Sequence, residues 1–420
     1  MIPLPEGLGG ERDGVETELG LIAEYGGLTR PQKTAIWASY LGWTLDAFDF
    51  FLLVFMIKAI GDEFGASTEQ VAEALFLTLA ARPVGALVFG WLGDRFGRRP
   101  VLMLVIGLFS VMSFLSGLAA SLPQLLLIRA CFGFAMGGEW GLGASLVMET
   151  IPARLRGPVS GLLQSGYPTG YLIASLVYFL FFDAIGWRAM FFIGLAPALF
   201  VLFIRSKVEE SPTFAARKHE PRTAVLKVLA QHWKLSLYLI VLMTGMNFLS
   251  HGTGDLYPTF LQKQRGLDTH MTGLLAIVLN VGSIIGAIGF GQIAERVGRR
   301  RNLALAAALV VPVIPLWAYS TTVLPLACGA FLMGLAVQGA WGNIPAYLNE
   351  LSPPAIRAMF PGLVYQLGNL IASRVSPFQA GIAAARGGDY AYALAAVTLC
   401  TALGIIAWIW FGPERREEFE

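Results

Sequence analysis

Charge is what this sequence has least of. Asp, Glu, Lys and Arg make up 14% of its 420 residues, whereas a soluble chain carries about 25%. That deficit excludes a mostly solvated surface. Cysteine is scarcer still: Cys131, Cys328 and Cys400 are the whole supply. All three fall in apolar stretches, and their spacing offers neither a disulfide framework nor a zinc site. With only 4 histidines, no metal site is expected, and no cofactor beyond a proton. The opening MIPLPEGLGGERDGVETELG lacks the basic and apolar regions of a cleaved signal. The arginine-rich turns lack G-K-[ST], so no phosphate-binding loop and no ATP drive within this chain are expected.

What is abundant is apolar sequence, 55% of the chain. Runs of 18 or more such residues cover 34–60, 70–93, 100–120, 124–149, 155–182, 187–205, 235–262, 271–294, 302–319, 323–349, 357–383 and 389–411. Each run can cross a hydrocarbon core of about 30 Å. The 48 glycines suit close approach between membrane helices. The expectation is an all-α, multi-pass membrane protein with twelve transmembrane helices and the lipid bilayer as its environment. Basic residues gather in three places: Arg95, Arg98 and Arg99; Arg296, Arg299, Arg300 and Arg301; and Arg205, Lys207, Arg217, Lys218, Arg222, Lys227 and Lys234. The turns AASLPQ and YSTTVLP have none. Lys and Arg mark cytoplasmic loops, so both termini and the middle segment are expected in the cytoplasm, with the chain in a plasma membrane of the bacterial inner-membrane kind. Topology therefore explains the basic loops, and no nucleic-acid partner is expected.

The chain also repeats itself with an offset of 201 residues. GWLGDRFGRR at 90–99 aligns with GQIAERVGRR at 291–300, and the same shift carries Gly133, Gly138, Trp140, Gly141, Glu149, Pro152, Arg156 and Gly161 onto Gly334, Gly339, Trp341, Gly342, Glu350, Pro353, Arg357 and Gly362. The predicted organisation is a segment 1–33, a six-helix bundle 34–205, a linker 206–234, a second bundle 235–411 and a tail 412–420. The two bundles are pseudo-symmetric. Parallel repeats of this kind occur in transporters that bind substrate at mid-membrane.

The doubled G-x-x-x-D-R-x-G-R-R turn resembles the signature loop of the major facilitator superfamily. That resemblance implies the major facilitator fold and a latch holding the halves together at the cytoplasmic side. By position, the latch residues are Gly90, Asp94, Arg98, Glu149, Arg156, Glu295 and Arg299. Setting topology alone would also account for the arginines.

Polar groups inside membrane spans are costly and usually functional. At 1.5 Å per residue, Asp46 and Arg82 each lie about 18 Å into their runs, near the midplane, and Arg129 about 8 Å from the outer end of its own. Asn247, Ser165, Gln366 and Asn369 are also central. The repeat carries Asp46 to Asn247 and Asp49 to Ser250. Asn247, His251 and Asp255, with Thr259 next, recur at four-residue steps along one helical face. Gly133, Gly137 and Gly141 follow Arg129 in the same way, favouring a packed, structural or coupling role for that arginine. Glu139 lies among these glycines and reads as a packed helix contact.

The stretch NFLSHGTGDLYPT at 247–259 resembles the pattern N-x-x-[S/T]-H-x-[S/T]-Q-D-x-x-x-T of the sialate:proton symporter group, which includes the Jen-type monocarboxylate transporters. Gly254 replaces the Gln of that pattern. LDAFDFF at 45–51, RPVGA at 82–86, Ser165 in LLQSGY and the Gln366–Asn369 pair of YQLGN extend the resemblance. It implies that Arg82, Ser165, Asn247, His251, Gln366 and Asn369 bear on substrate, and that Asp46, Asp49, His251, Asp255 and Arg129 bear on proton coupling. The expected activity is alternating-access, proton-coupled symport of a small monocarboxylate such as lactate or pyruvate by a monomer. Arg82 would be the bidentate carboxylate partner and His251 a group that titrates near neutrality. Sialic acid or an aromatic acid is the alternative substrate. A transporter-like ligand sensor is a more distant reading, for which the short flanking segments leave no output domain. An intramembrane hydrolase using His251 is more distant still.

Overall fold

The computed structural model describes residues 25–66, 68–195, 207–211, 214 and 225–413. Most of the 1–33 segment, the end of the sixth run with Arg205, linker residues 206, 212, 213 and 215–224 with Arg217, Lys218 and Arg222, and most of the 412–420 tail lie outside the described residues.

Helix α1, Arg30–Phe64, starts at a capping box in which the Thr29 side chain accepts from the Gln32 backbone and Gln32 returns the bond. It stops at Gly65, whose φ of 61° takes the left-handed cap. Helices α2 (Thr68–Phe96), α3 (Arg98–Gly117) and α4 (Leu122–Met148) follow. Helix α5, Arg156–Ile193, is broken at Gly186 (φ 71°), where the fifth run turns into the sixth. The second half comprises α6 (Val225–Gln231), α7 (Trp233–Gly254), α8 (Tyr257–Lys263), α9 (Thr269–Val297) and α10 (Arg299–Ile314). Then come α11 (Val323–Trp341), α12 (Ile344–Leu351), α13 (Phe360–Ala372), α14 (Val375–Ala385) and α15 (Tyr390–Ile409).

Ten described helices are long and apolar enough to cross a membrane. Twelve runs were expected. The sixth is described only in part, and the eleventh is divided between α13 and α14. Runs seven, ten and eleven are not the continuous helices that their hydropathy suggests. Each breaks about four residues before a proline: Pro258 follows the end of α7, Pro345 the end of α11 and Pro377 the end of α13. Proline removes the N–H that would bond the carbonyl four residues back, and its ring clashes there. The polar stripe on α7 is accordingly shorter than expected. It holds Asn247, His251 and Asp255, while Thr259 belongs to α8.

The two copies of the G-R-R turn have the same backbone. Gly97 (φ 110°) and Gly298 (φ 96°) turn the chain between α2 and α3 and between α9 and α10. The flank is apolar and exposed, with Leu127 at 67%, Leu180 at 63% and Leu324 at 74%. Such a surface is stable against lipid rather than water. Trp43 and Trp140 of the first half pack into the apolar core of the second, so the halves meet around aromatic rings.

Candidate functional site

At the end of the molecule that carries the arginine-rich turns, the halves are tied together twice by the same device. Asp94 Oδ1 and Oδ2 accept from the backbone N–H groups of Ala358 (3.0 Å) and Met359 (3.1 Å) in the opposite half. Glu295 Oε1 accepts from Gly157 N–H at 2.6 Å. The 201-residue shift carries Asp94 to Glu295 and Gly157 to Ala358, so these are two copies of one contact. Each carboxylate also holds an arginine. Arg98 bridges Asp94 (3.2 Å) and Glu149 (3.1 Å), and Arg299 bridges Glu295 (2.6 Å) and Glu350 (2.9 Å). Arg156 donates from Nε to the Met148 carbonyl at 3.2 Å and lies within electrostatic reach of Glu350. A Cβ on Gly90 would fall 2.5 Å from the Met359 Cα, so only glycine permits this approach. All seven latch positions therefore converge at one end.

Three residues beyond the sequence reading join them. Glu210 caps the start of α3 by accepting from Arg98 N–H (3.0 Å) and Arg99 N–H (3.2 Å). Ser211 Oγ donates to Glu149, and Phe214 lies 5.2 Å from the Arg98 guanidinium. An acid at a helix N-terminus is favourable, but no local pattern in the sequence joins residue 210 to residue 98.

Deeper in the bundle, Arg82 of α2 faces Asp46 of α1 at 3.6 Å, with side-chain exposures of 3% and 0%. The Arg82 guanidinium also lies 6.0 Å from the Trp43 ring, within cation–π range. Nε and Nη2 of Arg82 and both carboxylate oxygens of Asp46 have no hydrogen-bond partner within the protein. Asp49, one turn on, accepts from Ser113 Oγ at 2.6 Å and lies within electrostatic reach of Arg129. Arg129 is fully buried, 3.8 Å above the Phe132 ring, and its three guanidinium nitrogens have no hydrogen-bond partner. One cluster thus gathers Asp46, Asp49, Arg82 and Arg129 from three helices.

On the second half, His251 Nδ1 is 3.2 Å from Asp255 Oδ1, and its Nε2 is 3.2 Å from Asn369 Oδ1 on α13. Asn369 Nδ2 donates to Gln366 Oε1 at 3.5 Å, leaving Gln366 Nε2 buried without a partner. Ser376 Oγ donates to Asp255 Oδ2 at 2.7 Å. Asp255 is 43% exposed and His251 19%, so this chain of groups runs from open space down to the buried amides. Asn247 and Ser165 are buried too, and each makes one bond within its own helix, from Asn247 Nδ2 to the Met243 carbonyl and from Ser165 Oγ to the Leu162 carbonyl, both at 2.8 Å.

Aromatic rings join the two clusters. The Tyr167 phenol lies within electrostatic reach of Arg82, Asp46 and Asp255, and the ring stacks on Trp43 at 5.4 Å. Tyr365 is surrounded by Trp43 (6.4 Å), Trp140 (4.8 Å) and Trp341 (5.5 Å). Phe51 meets Tyr171 at 4.3 Å. Sequence reading passed over these aromatics, although Trp140 and Trp341 keep the repeat register and that symmetry was the available signal. Gly254, beside Asp255, has nothing within 4 Å of where a Cβ would project. The arrangement offers a buried guanidinium, unpartnered amide and carboxyl groups and aromatic walls between two pseudo-symmetric halves. Among the described residues, no group of three or more His, Cys, Asp or Glu is placed to hold a metal ion.

The family model described as Major Facilitator Superfamily matches residues 39–312. The chain belongs to the major facilitator superfamily. This facilitator is a membrane transporter rather than an enzyme. A second model, Sugar (and other) transporter, matches residues 243–415. The facilitator is 30% identical over 355 residues to the sialic acid transporter NanX of Escherichia coli K12, covering 82% of this chain and 86% of that one. It is 32% identical over 360 residues to a probable 4-methylmuconolactone transporter of Cupriavidus pinatubonensis, covering 84% of each chain. A carboxylic acid transporter protein homolog of Saccharomyces cerevisiae is 28% identical over 414 residues, covering 90% of this chain and 67% of that one. The narrower resemblance to a sialate and carboxylate transporter group thus has relatives of both names. In fold, the facilitator superposes on the proton:xylose symporter XylE with a TM-score of 0.72 at 20% identity, covering 91% of this chain and 96% of that one.

Proposed function

We propose that this facilitator is a proton-coupled symporter of a small organic monocarboxylate, of the lactate or pyruvate class, in the bacterial inner membrane with both termini cytoplasmic. The observation that carries the reading is the Arg82–Asp46 pair. Two ions are buried 3.6 Å apart, with most of their hydrogen-bonding atoms unpartnered. A buried ion pair that is poorly hydrogen-bonded gains little over its desolvation. An entering carboxylate accepts two parallel bonds from the guanidinium and displaces Asp46, which then lacks a partner in a low-dielectric site. Taking up a proton neutralises it. One anion and one proton then cross together, without net charge.

Gln366 and Asn369 supply amides to the rest of the substrate, and His251 with Asp255 forms the polar route from the exposed mouth. Lys and Arg in the turns set the tied end on the cytoplasmic side, which makes this an outward-facing arrangement with its latch closed. The names of relatives that carry sialic acid, a muconolactone and carboxylic acids support an organic acid as the class. A bulkier ring-bearing acid is the second reading, favoured by the open space at Gly254 and the rings of Phe51, Tyr167 and Tyr171.

Counterflow in proteoliposomes, with a panel of labelled short monocarboxylates, aromatic acids, sialic acid and dicarboxylates, tests the assignment. Exchange of short monocarboxylates is the expected result. Exchange of neutral sugars alone would overturn it.

A further inference from the structure

Glu139 on α4 has no part in the scheme above, yet it is 1% exposed and its Oε2 has no hydrogen-bond partner. Its charged neighbours are Asp46 of α1 and Arg82 of α2. Asp46 in turn lies in reach of Asp49 and Arg129, and the phenols of Tyr167 on α5 and Tyr365 on α13 face Arg82 and Asp46. The cluster therefore holds three carboxyl groups, Asp46, Asp49 and Glu139, against two guanidinium groups, Arg82 and Arg129. Protonating a buried acid costs far less than leaving it ionised and unpaired. Asp49 Oδ2 is unpartnered as well, but its Oδ1 accepts from Ser113 and Arg129 lies within electrostatic reach. Neither Asp46 oxygen nor Glu139 Oε2 accepts a hydrogen bond, so the surplus falls on Asp46 and Glu139.

The backbone makes room for this acid. A Cβ on Gly42 would lie 2.6 Å from Glu139 Oε1. A small cavity opens beside the carboxyl between the halves, lined by Ser39, Trp43, Gly143 and Pro345 among others, toward the latch end.

We propose that Glu139 is a second proton-holding carboxyl, sharing one proton with Asp46 and passing it toward the latch end when the latch opens. This rests on the symport reading for its transport consequence, but the bound proton itself does not. In the step, the O–H bond on Asp46 breaks and one forms on Glu139, which later loses that proton to water at the latch end. No electrons are transferred.

Infrared pH-difference spectroscopy on the substrate-free, reconstituted chain reads the proton directly. Wild type should keep a protonated-carboxyl C=O band at neutral pH. The band should vanish in Glu139→Gln and in Asp46→Asn, each of which balances the cluster, and persist in Glu139→Asp. A band unchanged in Glu139→Gln would overturn the proposal. With labelled lactate, Glu139→Gln should keep counterflow but lose gradient-driven accumulation by about tenfold or more, in the range of ordinary coupling free energies. Glu139→Asp should retain both. Loss of counterflow and accumulation together in folded Glu139→Gln would overturn the relay. Were wild type itself to show no gradient-driven accumulation while the band behaved as stated, the symport reading would fall and the shared proton would stand.

Discussion

Replacing Asp94 with Ala tests the latch through its backbone bonds. Asp94 accepts from the N–H groups of Ala358 and Met359, residues that are 1% and 0% exposed. Without the carboxylate, both donors stay buried and unpaired in the tied state, but they are free to meet water once the halves part. An unsatisfied buried donor costs about 1–3 kcal/mol, and two neighbouring losses are not fully additive. A shift of about 3 kcal/mol against the tied state is therefore expected, or roughly a hundredfold in the ratio of tied to parted forms. Arg98 retains Glu149 at 3.1 Å, so α3 should keep its start. The pseudo-symmetric Glu295→Ala removes one interhalf bond rather than two and should shift the ratio by roughly tenfold. Spin labels replacing Phe96 and Arg301, both exposed and in opposite halves, report the separation by pulsed electron resonance. The long-distance population should grow in the order wild type, Glu295→Ala, Asp94→Ala. An unchanged distribution in Asp94→Ala, with the protein folded, would refute the latch reasoning.

Other expectations follow from the same geometry. Gly254→Gln projects into open space and should leave the melting temperature within about 1 °C, since surface changes of this kind stay within about 0.5 kcal/mol. It should also alter substrate preference, raising KM for ring-bearing acids more than for short ones in competition assays. Glu63, at the end of α1, is held below its ordinary value of 4.5 first by hydrogen bonds from Arg188 and then by one from Trp187. A carboxyl depressed in the folded state contributes stability at neutral pH, and that stability is lost as pH falls from 4.5 through the lower folded value. The Arg188 and Glu63 side chains are 35% and 45% exposed, so the effect is small. Melting curves in detergent should nonetheless show a shallower acid limb for Glu63→Gln than for wild type.

Much of this molecule is written in local sequence. Spans and repeat are one-dimensional signals, because lipid imposes length and apolarity on every crossing. The doubled arginine turn marked both latch carboxylates by register alone. Helix breaks were also legible in Pro258, Pro345 and Pro377, but hydropathy averages over them. The pairing of the central charges was not legible. Asp46, Arg82 and Glu139 come from three helices, and which faces turn together is decided by packing between α1, α2 and α4. Asn247 illustrates the limit from the other side. Its depth and motif match suggest a substrate amide, but the bond from its Nδ2 to the Met243 carbonyl one turn back, which ties up one of its two N–H groups, is not visible in the spacing. Glu139 read as a packing contact because its surroundings are glycine-rich, yet at Gly42 the missing side chain leaves room for the carboxyl.

The central claim is that Arg82 binds the carboxylate of an acid carried with a proton. Uptake of labelled lactate into proteoliposomes, driven by an acidic exterior, tests it most directly. Wild type should accumulate lactate above equilibrium and lose the accumulation when the gradient is collapsed. Arg82→Ala, reconstituted at equal density, should fall to the level of empty vesicles. Full gradient-driven uptake in Arg82→Ala would contradict the account.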